Sequence, residues 1–473
     1  MDIDPSWLST VPVLVAIGLA FLTRRVLPAL FAAVVSGGLV SAYQTQALSD
    51  INVIQRFLLP ALGSTAYAKI LVVYLWSLGG LIGMWQKTGG AEHFARTVGS
   101  LIAKGRTSAK LFAWLVGVIF HQGGTISTVL AGTTVKPVTD EHGVSHEELA
   151  YIVDSTASPV ATVLPFNAWP AYIAGLVVAT LPFIQTEADA FGLFFASIAF
   201  NFYGLFALLM TLLFALDKLP WTGQKMSEAR ARSLATGTLD SPTARPLLPP
   251  AETDQRDHSY QPSLLDFFVP IGVLLTLAIG PIIILDETYI DEAFVACVLS
   301  SMVVARLRGM ALNSVLDGFI LGCKSMTIGA IMLGLAVTLA SVTKELKTAQ
   351  YLVSLMDGFI PFVALPAFLT TVCMAIAFAC GSSWGTYAVV FPVALPLAYA
   401  MNTDITYIQI CFGAVLGGAV FGDQCSPISD TTILSSMFTG CDLMDHVGTQ
   451  LPLALAAAGL AAAASTLAVM ILV

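Results

Sequence analysis

Five stretches of this chain, residues 5–23, 190–216, 267–285, 325–343 and 451–473, contain no Asp, Glu, Lys or Arg. Each is long enough to cross a bilayer core as a helix. Inside lipid every backbone N–H and C=O must be satisfied within the protein, so such runs read as membrane-spanning helices. Residues 70–86 are shorter but sufficient, with Lys87 placed to snorkel at their end. Composition agrees, with 56% hydrophobic and 11% charged residues and a mean hydropathy of +0.82, outside the range of soluble domains. The chain reads as an all-α polytopic protein of a bacterial-type inner membrane. Asp2 and Asp4 stand where a signal peptide would be basic, so the first span is expected to be kept.

The long polar segment 217–263 holds Pro242, Pro246, Pro249 and Pro250 among mixed charges. It reads as a flexible cytoplasmic linker with no fold of its own. It separates two membrane repeats, 1–216 and 264–473. Each opens with two spans, 5–23 and 26–43 in the first, 267–285 and 293–305 in the second. An amphipathic piece and a third span follow, ending at Lys87 or Lys344, and then a short interfacial segment at 88–94 or 347–352.

Residues 358–403 run for 46 positions without a charge, with Gly381-Ser-Ser-Trp-Gly385-Thr386 near the middle. The counterpart, 111–135, is interrupted by His121-Gln-Gly123-Gly124-Thr125. Arms of about 11 residues rise only ~17 Å as helix, too little to cross and return, so this stretch reads as a re-entrant hairpin. The second reads as a hairpin by analogy, two complete spans being the other reading. A proline-broken helix and a last span then complete each half. With hairpins counted as non-crossing, each half has five spans, and the second enters the membrane upside down as an inverted repeat. Both termini then lie outside. Most of the 21 Lys and Arg fall on the cytoplasmic side, as the positive-inside bias requires, with Lys344 and Lys347 as exceptions.

Two motifs interrupt the apolar pattern: Asp154-Ser-Thr-Ala-Ser158-Pro159 and Asp423-Gln-Cys-Ser426-Pro427-Ile-Ser-Asp430-Thr431. Proline removes a backbone donor and clashes with the preceding turn, so each helix should break there. A carboxylate at a helix centre costs roughly 2.5–3.5 kcal/mol on insertion scales, which makes Asp154, Asp423 and Asp430 functional candidates. Capping a half-helix is the plain structural alternative. Broken helices at matching positions of two halves point to a carrier's binding site.

Freed carbonyls, hydroxyls and carboxylates are hard oxygen ligands, suited to a small alkali cation. Asp154, Ser155, Thr156 and Ser158 would form one site, and Asp423, Ser426, Asp430 and Thr431 the other, with Asp154, Asp423 and Asp430 as Na+ ligands. Burial favours the neutral acid and a nearby cation favours the carboxylate, so a proton and Na+ would compete at one group. The hairpin tips would sit opposite the breaks, offering Thr128 in the first and Ser382, Ser383 and Thr386 in the second. Back-bonding to its own helix is the alternative for each hydroxyl. His121 is a candidate proton carrier or a neutral, hydrogen-bonded histidine. Trp384 would wall the site, and Asn167 and Trp169 are weaker candidates.

Other classes find little support. The net charge of −9 is spread over loops, and no basic patch suggests nucleic acid. None of the seven cysteines forms a CxxC pair, and Cys297, Cys323, Cys373, Cys380 and Cys411 read as small packing residues. There is no GxxxxGK loop and no HExxH, so neither ATP-driven pumping nor enzymatic chemistry is expected. No cofactor is expected beyond Na+ as coupling ion.

The segments Lys136-Pro-Val-Thr-Asp140, Leu149-Ala-Tyr-Ile-Val-Asp-Ser-Thr-Ala-Ser-Pro159, Ser383-Trp-Gly-Thr386 and, above all, Phe421-Gly-Asp-Gln-Cys-Ser-Pro-Ile-Ser-Asp-Thr-Thr-Ile-Leu-Ser-Ser436 resemble the NhaC-type Na+/H+ antiporters, a group similar to malate/lactate exchangers. The resemblance implies an ion-transporter fold with inverted repeats and hairpins, and Na+ bound near Asp154 and Asp423. Many members carry an acidic pair near the first hairpin tip, in a Phe-Asp-Asp-Tyr-like run. Here that place reads Phe120-His121-Gln122-Gly123-Gly124. Na+/H+ antiport is therefore the first expectation. Na+- or H+-coupled movement of a small organic acid or amino acid is the second, and a channel also fits charges at depth. The expected partners are Na+, H+ and the lipid bilayer, with a homodimer left open.

Overall fold

Apolar runs, prolines and acidic caps divide the chain into helices, and every regular element among the described residues is helical. The computed structural model describes residues 6–23, 26–46, 51–121, 124–165, 167–246, 256–285, 289–348, 350–351 and 361–473. The first half contains α1 (Val11–Thr23), α2 (Val26–Thr45), α3 (Tyr67–Thr88), α4 (Gly90–Ile102), α5 (Arg106–Ile119), α6 (Gly124–Glu141), α7 (His146–Ser155), α8 (Ala168–Val177), α9 (Glu187–Ser197) and α10 (Phe202–Ala215). After α11 (Gln224–Thr236) come α12 (Leu264–Leu285), α13 (Ile290–Leu307), α14 (Leu312–Ser325), α15 (Thr327–Glu345), α16 (Leu365–Cys380), α17 (Ser383–Met401), α18 (Ile405–Cys425), α19 (Asp430–Thr439) and α20 (Leu443–Leu472).

Among the described residues seven helices are long and apolar enough to cross a membrane, or eight if α9 and α10 form one bent span. Trp7–Leu19, Ala168–Val177 and Leu264–Ala278 are apolar but shorter, so the ten crossings expected above exceed the helices that meet this length. Large apolar side chains such as Phe31, Leu299, Val303, Leu460 and Leu467 are exposed on the outside, a surface made for lipid. The chain is a multi-pass membrane protein.

Three polar caps fix where the site-bearing helices begin. Ser145 and Glu148 form a capping box at the start of α7. Asp404 accepts the Thr406 and Tyr407 N–H groups at 2.7 and 3.3 Å at the start of α18. Asp442 accepts those of Met444 and Asp445 at 2.8 and 3.1 Å at the start of α20. Each satisfies donors that would otherwise be orphaned at a helix start.

Helix α18 is the central strut, buried along nearly its whole length. Its glycines let neighbours reach its backbone: a Cβ on Gly418 would lie 2.7 Å from the Thr370 carbonyl oxygen of α16, and one on Gly413 would lie 2.5 Å from the Phe200 carbonyl carbon. Small residues of this kind permit close helix approach within a membrane.

Two expectations need correction. Residues 190–216 do not form one straight span, because α9 and α10 meet at 52°. Asn201 causes the bend: its Oδ1 accepts the Gly204 N–H at 3.1 Å, and its Nδ2 donates to Thr162 Oγ1 at 2.8 Å. A capping side chain thus starts a second helix in mid-run. The linker is not without a fold either. α11 ends in a left-handed Gly237, and it packs on α7 and α20. Its mixed charge does not leave it free in water, because Arg232 pairs with Glu147 at 2.7 Å and Arg230 with Asp217 at 2.7 Å. The interfacial segment at 88–94 is the end of α3, the left-handed Gly89 and the start of α4, while that at 347–352 lies partly outside the described residues.

Candidate functional site

Both proline motifs interrupt their helices. α7 stops at Ser155, and Pro159 then sits in the first turn of a one-turn helix, Ser158–Ala161. α18 stops at Cys425, and α19 begins only at Asp430. Proline's missing N–H is harmless in a first turn, which is where Pro159 sits, while Pro427 lies in the turn between α18 and α19.

The two breaks cross at Asp423, which is 3% exposed. Its Oδ1 accepts the Ser383 backbone N–H at 2.9 Å. Its Oδ2 accepts the Ser383 hydroxyl and, at 3.2 Å, the Ser158 hydroxyl. Its carbonyl oxygen accepts the hydroxyls of Thr431 and Thr432, both at 2.8 Å. Beside it Gln424 donates to Ser155 Oγ at 2.7 Å and accepts the Tyr203 hydroxyl at 2.5 Å. One carboxylate therefore gathers donors from the first break and the second hairpin. Charge-assisted bonds of this kind are the strong ones.

The second hairpin reaches the break because of Gly381. Its φ is +64°, and a Cβ there would lie 2.5 Å from the Ile428 carbonyl oxygen. Among the tip hydroxyls only Ser383 is bonded to the carboxylate. Ser382 caps α17 by accepting the Gly385 N–H at 3.2 Å, and Thr386 donates back to the Ser382 carbonyl at 2.8 Å. Ser426 donates to the Phe378 carbonyl at 2.7 Å and ties the loop to α16. Trp384 packs on Tyr172 and Trp169. Asn167 caps α8 by accepting the Trp169 N–H at 2.8 Å.

The remaining candidates have surroundings of their own. Thr156 back-bonds to the Ile152 carbonyl at 2.7 Å. Thr128 is fully buried on α6. The ring nitrogens of His121 face the carbonyls of Val118 and Pro165 at 2.9 and 3.2 Å, so the ring ties the first hairpin's turn to the segment after the first break. Asp430 is exposed and accepts the Thr431 N–H at 2.9 Å. It occupies the first turn of α19, where the helix dipole and solvent stabilise a carboxylate. Among the described residues no three His, Cys, Asp or Glu side chains gather as a metal-binding group, so Asp154, Asp423 and Asp430 do not converge on one point.

Asp154 is fully buried in a setting the motif did not reveal. Its Oδ2 accepts from His446 Nε2 at 3.1 Å and from Gln450 Nε2 at 2.9 Å, both on α20. Sequence reading missed Gln424, Tyr203, His446 and Gln450. The signal was the spacing of His446 and Gln450, four apart on one face at the start of an apolar helix.

A polytopic helical bundle with carboxylates buried at two crossing helix breaks is a secondary transporter. Residues 160–469 match the Na+/H+ antiporter family, and the chain belongs to that family. An uncharacterized protein of Haemophilus influenzae is 32% identical over 96% of this chain and 89% of its own length. The Malate-2H(+)/Na(+)-lactate antiporter of Bacillus subtilis is 24% identical over 41% of each chain. The Na(+)/H(+) antiporter NhaC of Alkalihalophilus pseudofirmus is 28% identical over 37% of each. The fold is shared with the YdaH transporter of Alcanivorax borkumensis, at a TM-score of 0.56 and 13% identity over 89% of this chain and 88% of that one. It is also shared with MtrF of Neisseria gonorrhoeae, at 0.55 and 13% over 98% and 97%.

Proposed function

We propose that this chain exchanges Na+ for H+ by letting the two compete at the Asp423 carboxylate, exposed in turn to either side of the plasma membrane. The observation that carries the reading is the meeting of Ser158 from the first break and Ser383 from the second hairpin on that one carboxylate. Hydroxyl and carboxylate oxygens are ligands for a dehydrated Na+. A proton neutralises the same group, and the two occupants exclude one another.

Inverted repeats supply the alternation. Reciprocal packing supports them: α6 of the first half lies on α19 of the second, and α17 of the second lies on α8 of the first. In the same way α2 packs on α15 and α13 on α3. In this reading each hairpin is re-entrant, Asp423 and Asp154 lie at mid-depth, both termini face outward, and the linker is cytoplasmic.

A second reading, Na+- or H+-coupled transport of a small organic solute, is favoured by one further feature. A cavity of ≈180 Å³ opens between α8, α15 and α17, with Lys344, Thr343 and Thr348 in its wall. Reconstituted vesicles separate the two. An imposed Na+ gradient moves protons with no other solute present if the first holds. Proton movement that requires an added organic acid or amino acid supports the second.

A further inference from the structure

Helix α11 and the turn before it form a groove that the exchange at Asp423 does not use. It has a volume of ≈530 Å³, and Leu219, Pro220, Trp221, Ser227, Arg230 and Leu234 stand in its wall. Trp221 is 53% exposed and Leu234 62%. An open apolar wall of this kind marks an interaction site.

Two independent markers set its depth. The charge-free run that ends α10 stops at Leu216, three residues before Leu219, and the charge-free run of α20 starts at Leu451. The groove lies against the start of that second run: a Cβ on Gly223 would meet Pro452 at 3.7 Å and the Trp221 ring at 4.0 Å. Leu455, nearly one turn further along α20, is exposed as a lipid-facing residue would be. Both helices therefore pass from apolar to charged sequence at the level of the groove, which is the membrane–water boundary. Tryptophan is enriched at that boundary, where its ring meets acyl chains and its N–H meets headgroups.

Charge selects the occupant. Residues 217–236 hold four cations, Lys218, Lys225, Arg230 and Arg232, and two acids, Asp217 and Glu228. Arg232 is engaged by Glu147, and Asp217 is shared by Lys110 and Arg230. Glu228 accepts from Gln224 Nε2 at 2.8 Å. Lys218 and Lys225 are exposed, and among the described residues neither joins an ion pair. They adjoin Leu219 and Gln224, both in the groove wall. The Lys225 ammonium reaches α20, since a Cβ on Gly448, one turn before Pro452, would lie 2.8 Å from it. Two unpaired ammonium groups at headgroup level beside an apolar slot match a lipid that is anionic at one end and apolar along its length.

We infer that this groove holds an anionic phospholipid, with the headgroup phosphate at Lys218 and Lys225 and an acyl chain along Trp221 and Leu234. The inference rests on the chain's place in a membrane and not on the exchange at Asp423.

Tryptophan fluorescence of the purified full-length chain in nonionic detergent tests it. Phosphatidylglycerol and phosphatidylcholine with brominated acyl chains, which quench on contact, are the two probes. The difference between wild type and Trp221→Phe isolates the Trp221 signal. That signal is expected to be quenched saturably, with phosphatidylglycerol half-saturating at about tenfold lower mole fraction than phosphatidylcholine. The double variant Lys218→Gln/Lys225→Gln is expected to respond equally to both lipids. Equal quenching in the wild type would make Trp221 an ordinary interfacial anchor and overturn the inference, as would no quenching by either lipid. A preference that survives in the double variant overturns it too, because the headgroup would then be held elsewhere. Glycerol phosphate serves as the soluble competitor and is expected to leave the quenching unchanged at equal concentration. Full displacement under that condition would assign the groove to a free phosphate ester and not to a lipid.

Discussion

The Ser158 hydroxyl donates to the Asp423 carboxylate at 3.2 Å although 265 residues separate them in the chain. Ser158 starts the turn beyond the first break, and Asp423 closes α18 at the second. A parallel rung joins Gln424 to Ser155 at 2.7 Å. Both contacts exist only while the two broken helices cross at their present angle. In the exchange proposed above, a tilt of one half against the other would lengthen the two together, which would make the pair a marker of one access state.

Asp423→Asn is therefore expected to abolish Na+-driven proton movement in vesicles while the protein stays folded. The amide keeps the shape and can still accept the Ser383 N–H, but it holds neither a proton nor a cation at working pH. Exchange at the wild-type rate in a well-folded Asn variant sinks the assignment.

The three donors to this carboxylate should rank by geometry. Ser383→Ala removes a hydroxyl but keeps the backbone N–H at 2.9 Å, and it is expected to weaken the apparent Na+ affinity by about tenfold. Ser158→Ala removes a longer bond, and about threefold is expected. Transport assayed over a range of Na+ concentrations gives both. A larger effect at Ser158 would reverse the roles given to hairpin and break.

Gly381→Ala tests how the hairpin tip is seated. The left-handed backbone costs an alanine about 1 kcal/mol, and its Cβ would lie 2.5 Å from the Ile428 carbonyl oxygen. The tip must then withdraw from the break and carry Ser383 away from Asp423. Lower thermal stability together with weakened Na+ dependence is the expected result. Unchanged transport would show that the tip position is irrelevant to the ion.

Local chemistry explains what was legible in the sequence. The prolines at 159 and 427 mark the two breaks in company with their Asp and Ser neighbours, whereas Pro137, Pro392, Pro396 and Pro452 lie inside helices, and Gly381-Ser-Ser makes a turn between two apolar arms. Those features needed no tertiary information. Which hydroxyl meets the carboxylate did need it: Ser382 is consumed as the cap of α17, and its neighbour Ser383 faces Asp423. Asp430 looked as enclosed as Asp423 because both lie in one apolar motif, yet it opens α19 with its side chain exposed. His446 and Gln450 stand four apart at the start of an apolar helix, a spacing that puts them on one face without saying which neighbour that face meets. The linker misled for a related reason, since its arginines find their acids on α7 and just after α10.

Arg232→Ala should destabilise the whole protein, not only the linker. Arg232 contacts both oxygens of Glu147, at 2.7 and 2.8 Å, and Glu147 is buried in the first turn of α7. Removing one partner of such a pair leaves a buried charge uncompensated, at a cost of about 2 kcal/mol for a pair near the surface. A fall in melting temperature, restored by Glu147→Gln in the same chain, is the expected pattern. Equal melting of Arg232→Ala and wild type would show α11 to be an ornament on the bundle.

The same corner makes stability depend on pH in a definite direction. Burial alone would push the Asp217 carboxyl up, but hydrogen bonds from Lys110 and Thr107, with the charges of Lys110 and Arg230, outweigh it and hold the group below its ordinary 3.8. A carboxyl with a depressed folded value binds its proton more readily when unfolded. It therefore adds stability above the unfolded value, and that contribution fades as pH falls through the folded one. Asp217→Asn should consequently lower the melting temperature at pH near 6, and the gap to wild type should narrow below about pH 4. Melting curves of both proteins across that range decide the matter. A gap that stays constant to the lowest pH would mean that Asp217 acts through packing or neutral hydrogen bonds. The charges of Lys110 and Arg230 would then do nothing to hold the linker's start against α5.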